Sequence, residues 1–133
     1  MDMDDESDGT RQLFSFIGGC ARAIEQGATL VIDELDRSLH PHISKFLLKL
    51  FQNRQNEKDA QLIFSTHDTT LLDQEILRRD QIWFTEKNPN QSTRLYPLLE
   101  FKPRKGEALE TGYLRGRYGA TPIVDGIPWS VWE

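Results

Sequence analysis

Two short apolar runs constrain this chain more than anything else in it: ATLVID at residues 28–33 and QLIFST at residues 61–66. The first reads as a buried strand, because its apolar residues run on nearly unbroken instead of alternating with polar ones, and the second as a further short strand. Between them Ile43, Phe46, Leu47, Leu50 and Phe51 fall on one helical face, which the polar stretch QNRQNEKDA closes. Upstream, Leu13, Phe16, Ile17, Cys20 and Ile24 recur at helical spacing, and Gly27 is placed to end that helix. The order helix, strand, helix, strand favours an α/β layer with parallel strands, since each crossover needs a helix to return the chain.

The rest of the chain is read more coarsely. A further short helix carrying Leu71, Leu72 and Ile76 is expected, capped by Asp68 or Thr69. QIWFTEK and TRLYPLLEF flank NPNQS as a hairpin with a polar turn. Beyond Lys102 glycine, proline and charge replace any periodic pattern. The expected division is therefore 1–101 and a C-terminal extension, 102–133.

Composition excludes several classes. At 133 residues the chain suffices for one packed domain or a piece of a larger one. No apolar run approaches the roughly 18 residues of a membrane span, and the acidic start MDMDDESDGT is unlike a secretory signal. A cytoplasmic protein without membrane contact is expected. The lone Cys20 builds no disulfide framework and reads as a buried, inert thiol. A net charge of −5 argues against nucleic-acid affinity carried by overall charge and leaves only local basic patches.

Both strands end in reactive side chains: Asp33 and Glu34 after the first, Thr66, His67 and Asp68 after the second. Ligands of open α/β sheets collect at that edge. An acid closing a buried strand is costly without a cation or donors, so Asp33 reads as a holder of Mg²⁺. Glu34 points elsewhere by strand alternation and is placed to polarise a water as general base toward a γ-phosphate. His67 is placed to bond the phosphate or that water. Singly, each residue has a plain structural use as a turn cap, a solvated acid or a rim histidine.

These residues resemble a known family. TLVIDE looks like the Walker B strand of ABC-type ATPases, with Asp33 in the metal position and Glu34 in the catalytic one. FSTHD resembles the switch-histidine strand, and LDRSLHPH is similar to the dimer-facing D-loop of the RecF-like and OLD-like branch, spanning Asp36, Arg37, Ser38, Leu39, His40 and Pro41. ESDGT resembles the ABC signature, although Glu6, Asp8 and Thr10 depart from the usual residues. Ser7, Gly9 and Thr10 would then serve the ATP of a partner subunit, which implies a homodimer. YLRGRYGATPIV at 113–124 resembles the end of prokaryotic AAA_15/AAA_21-type ATPases, including the RloA type, linked to phage defence. The resemblance leaves room for an effector nuclease as partner. It also allows nucleic acid stacked on Tyr113, Arg115, Arg117 and Tyr118, against a plainer reading in which the glycines let this tail pack tightly.

No G-x-x-x-x-G-K-[ST] segment occurs, so the Walker A loop is missing. The expected fold is thus a partial P-loop NTPase of ABC type, with parallel strands, flanking helices and a C-terminal hairpin. A fragment of a longer ATPase is the expectation, with a split or degenerate gene product as the other option. Such a chain hydrolyses ATP poorly by itself. Two rivals stand beside it: a non-catalytic dimerisation or regulatory module, and a metal-dependent hydrolase built on His40, His42, His67, Asp33 and Asp68.

Overall fold

The computed structural model describes residues 8–37, 39–53, 56–121, 123–124 and 127–128. The chain forms two compact units that divide between Asp68 and Thr69.

In the first unit, helix α1 (Asp8–Gln26) buries Cys20 and Ala23 and half-buries Leu13, Phe16, Ile17 and Ile24, the expected face. It stops where the spacing predicts. Gly27 has a φ of 67°, and a Cβ there would lie 2.7 Å from the Lys58 carbonyl oxygen, so both conformation and space require glycine. Strand β1 (Thr29–Ile32) then pairs in parallel with β2 (Gln61–Phe64), Thr29 opposite Gln61 and Ile32 opposite Phe64. The return is made by helix α2 (Pro41–Gln52), which starts on Pro41. α1 packs on β1 and α2, and α2 on β2.

Two expectations need correction here. The strands are not buried on both faces: Ile32 is buried, but its neighbour Val31 is 69% exposed and Val31's register partner Ile63 is 57% exposed. The helices cover the face of Leu30 and Ile32, and the opposite face is open in the described residues. The buried stripe of α2 is also turned. It runs through Ser44, Leu47 and Leu48, leaving Phe46 51% exposed.

The second unit is built on a hairpin. Strands β3 (Trp83–Lys87) and β4 (Thr93–Pro97) pair antiparallel around an Asn88–Ser92 turn in which Gln91 takes a φ of 65°. LLEF is not the continuation of β4 but a 3₁₀ turn (Leu98–Phe101). The helix expected over Leu71, Leu72 and Ile76 is likewise only a 3₁₀ turn (Thr69–Leu71). Thr69 spends its hydroxyl on Glu110 at 2.9 Å. Asp73 starts a new turn, its carboxylate accepting from the Glu75 N–H and its carbonyl from Ile76 and Leu77.

The patternless tail is ordered by aromatic packing. Helix α3 (Leu109–Leu114) delivers Leu109 to a core of Ile82, Phe84, Tyr96, Leu98 and Tyr118. Phe84 stacks on both Tyr113 and Tyr118, and the Tyr96 hydroxyl donates to the Tyr118 carbonyl at 2.7 Å. A short pair, β5 (Ile123–Val124) with β6 (Ile127–Pro128), follows. The tail glycines act as the plainer reading expects. A Cβ on Gly112 would stand 2.8 Å from the Tyr118 hydroxyl oxygen, and one on Gly119 2.8 Å from that of Tyr96.

Gly112→Ala is therefore expected to destabilise the second unit by about 1–3 kcal/mol, read from urea unfolding followed by tyrosine fluorescence. Gly18→Ala, in α1 with nothing within 4 Å of the new methyl, is expected to be neutral or stabilising by up to about 1 kcal/mol. A Gly112→Ala chain unfolding at the wild-type midpoint would show that the ring simply moves aside. Cys20 is fully buried, and burial pushes its thiol pKa up. A thiol reagent should thus leave the native chain unmodified and react at once in denaturant; fast native labelling contradicts that burial.

Candidate functional site

The register Ile32–Phe64 sets the residues after each strand side by side at one edge of the parallel sheet. Ser65 is the hinge of that edge. Its N–H donates to the Ile32 carbonyl at 3.0 Å and extends the ladder by one step. Its hydroxyl donates to the Asp33 carboxylate and accepts the Glu34 N–H at 2.8 Å. Its carbonyl accepts the Leu35 N–H at 2.9 Å. One residue of β2's tip thus holds three successive residues of β1's tip.

That hold matters because Glu34 is strained. Its φ of 51° lies in the left-handed region, which costs a residue with a Cβ about 1–2 kcal/mol. The two hydrogen bonds to Ser65 and the complete burial of Leu35 compensate. The chain reverses sharply there, with the Arg37 N–H returning to the Glu34 carbonyl at 3.0 Å. Both carboxylates are exposed, so the acid at the strand end is not a desolvated one, as the sequence suggested; a hydroxyl, not low dielectric, fixes Asp33. Arg37 lies 3.6 Å from Glu34 with both side chains open to water, a pairing too weak to immobilise the acid.

A second clasp joins the same two tips. Asp36 accepts from the Thr66 hydroxyl at 2.7 Å and from the His67 N–H at 3.1 Å, and Thr66 in turn accepts the Asp68 N–H at 3.0 Å. Burial alone would raise the Asp36 carboxyl. The hydrogen bonds from Thr66 and His67, with the His67 charge, outweigh it and hold the group below the ordinary aspartate value.

The D-loop residues divide. Asp36 turns back to the other strand tip and Leu39 is buried, while Arg37, His40 and Pro41 are exposed. His40 caps α2, its Nδ1 accepting the His42 N–H at 3.3 Å, and the two imidazoles stack 5.1 Å apart. Gly9 and Thr10 lie within the first turn of α1 instead of ahead of it. Ser7, Glu6 and Ser38 fall outside the described residues.

Two alternatives lose ground. Among the described residues no group of three His, Cys, Asp or Glu side chains could hold a metal ion, against a zinc centre from His40, His42 and His67. In the tail, Tyr118 is buried, the Tyr113 hydroxyl donates to the Ala120 carbonyl, and Arg117 is ion-paired with Glu107. Those rings are spent on the core and are not free to stack on bases. Thr66 stood out in the sequence, whereas Ser65 and the inward role of Asp36 did not. A signal existed: TLVI and QLIF have equal length, so aligning them in parallel puts Asp33 against Ser65.

No described helix is long and apolar enough to cross a membrane. No curated protein matches the chain in sequence. Over residues 1–73, more than half its length, the chain matches the family described as "AAA domain, putative AbiEii toxin, Type IV TA system", and it belongs to that family.

Proposed function

We propose that the chain supplies the acidic half of an ABC-type ATP site, in which Asp33 holds Mg²⁺, Glu34 is the general base and His67 contacts the γ-phosphate. Family membership gives the coarse part of this, an ATPase-like AAA domain. The observation that supports the finer part is the pair of clasps that brings Asp33, Glu34 and the His67 backbone to one edge of the β1–β2 sheet.

The residues fit magnesium. Asp33 is a single exposed carboxylate with one oxygen engaged by Ser65, and among the described residues no cage of protein ligands surrounds it. Mg²⁺ suits such a site, because it keeps several waters and binds through one or two carboxylates plus substrate phosphates. Bound there with nucleotide, the ion would neutralise phosphate charge. The chain's own contributions are then distinct: Asp33 holds the ion, Glu34 takes the proton of an attacking water, and His67 donates toward phosphate oxygen.

Gly9 and Thr10, in the first turn of α1 where the helix dipole favours an anion, would meet the nucleotide of a second subunit together with Ser7. The exposed Arg37, His40 and Pro41 would face that subunit in a homodimer. The family's description places such domains in toxin–antitoxin systems, and we extend that setting, with phage defence and an effector nuclease, to this chain as part of the proposal.

Since the sequence contains no P-loop, the test is reconstitution: the chain mixed with a separately made P-loop-bearing half of the same family. ATP hydrolysis should appear in the mixture and fall by about 100-fold or more in Glu34→Gln, the loss typical of a missing general base. Hydrolysis indifferent to Glu34→Gln, or none in any mixture, would favour the non-catalytic module.

A further inference from the structure

We propose that Ser65 is the positioning residue of the acidic pair, setting Asp33 through its hydroxyl proton and Glu34 through the lone pair of the same oxygen. This rests on the reading of Asp33 as the metal-holding carboxylate. A hydroxyl donates and accepts at a single oxygen and can therefore serve two adjacent neighbours at once. The Ser65 oxygen does so: it donates to one Asp33 oxygen and accepts the Glu34 N–H at 2.8 Å.

The consequence is directional. With one Asp33 oxygen tied to Ser65, the second is the one presented to solvent and to a cation. A carboxylate fixed in rotamer binds more tightly than one that must be ordered on binding, and outer partners of metal ligands typically govern affinity by about 10- to 100-fold. The Glu34 bond acts on the backbone, because a left-handed glutamate relaxes toward an ordinary conformation once its N–H is released, and the carboxylate then swings away from its neighbour. Ser65 itself is exposed, and its two backbone hydrogen bonds do not depend on the side chain. Its removal therefore tests position more than folding.

The probe is Mn²⁺ added to the ¹⁵N-labelled chain, read as paramagnetic broadening of the Glu34 and Leu35 amide signals. Ser65→Ala is expected to raise the half-broadening concentration about tenfold and to speed exchange of the Glu34 amide proton. Ser65→Thr, which keeps the hydroxyl, is expected to restore both. Wild-type Mn²⁺ binding in Ser65→Ala, with binding lost in Asp33→Asn, overturns the positioning role and leaves the site reading intact. Wild-type binding in Asp33→Asn overturns the site reading and the proposal with it. Equal impairment in the Ala and Thr variants overturns it in favour of simple packing. If Ser65→Ala does not fold, Ser65→Cys, similar in volume and a poor donor, takes its place with the same expectation.

Discussion

The parallel register of β1 with β2 is the constraint on which the first unit depends. With Ile32 opposite Phe64, the next residues out are Asp33 and Ser65, and four hydrogen bonds follow from that adjacency. A slip of one residue would reverse which side chains face the helices and would bring Thr66 to Asp33 instead. The Glu34–Arg37 ion pair at this edge is open to water and adds little to that geometry. Hydrogen bonds between two strand tips, anchored beneath by the buried Leu35, carry the geometry.

What was legible in the sequence was whatever periodicity or turn chemistry encodes. α1 ends at Gly27 because no other residue fits both a φ of 67° and the Lys58 carbonyl, and a single letter announces that. The hairpin is likewise written in its polar turn, NPNQS. The turned stripe of α2 was not legible: Ser44 scores as polar yet is buried, while Phe46 scores as core yet is exposed. The lost helix after Thr69 has the same kind of cause, because Glu110, more than forty residues away in sequence, takes the hydroxyl that local reading assigned to a cap. Order in the tail comes from Tyr113 and Tyr118 stacking on Phe84, a contact with no local period at all.

The candidate site shows the same division. Asp33, Glu34 and His67 stood out by residue type and by their place after apolar runs, and the structure sets their backbones together. The physical reason first attached to Asp33, an acid forced into a dry strand end, does not hold, because Val31 and Ile63 leave one face of the sheet open. Full burial of such side chains is worth roughly 1.5–3 kcal/mol each, so sequences composed for two-sided burial carry apolar residues whether or not a second layer is present. Composition reports what a strand can tolerate on each face. Exposure reports what packs there.

An exposed acidic pair has a chemical consequence. In bulk water two unit charges about 4 Å apart interact by only about 1 kcal/mol, whereas at the effective dielectric of a partly enclosed site the figure is about 4 kcal/mol. Asp33 and Glu34 are therefore weak agents while water surrounds them. Their geometry is set in advance by Ser65, but their strength awaits whatever excludes solvent. On the proposed reading, nucleotide and a second subunit bring that exclusion. Orientation would then be a property of this chain and potency a property of the assembly, which accounts for a site that is firmly built at its backbone and open at its carboxylates.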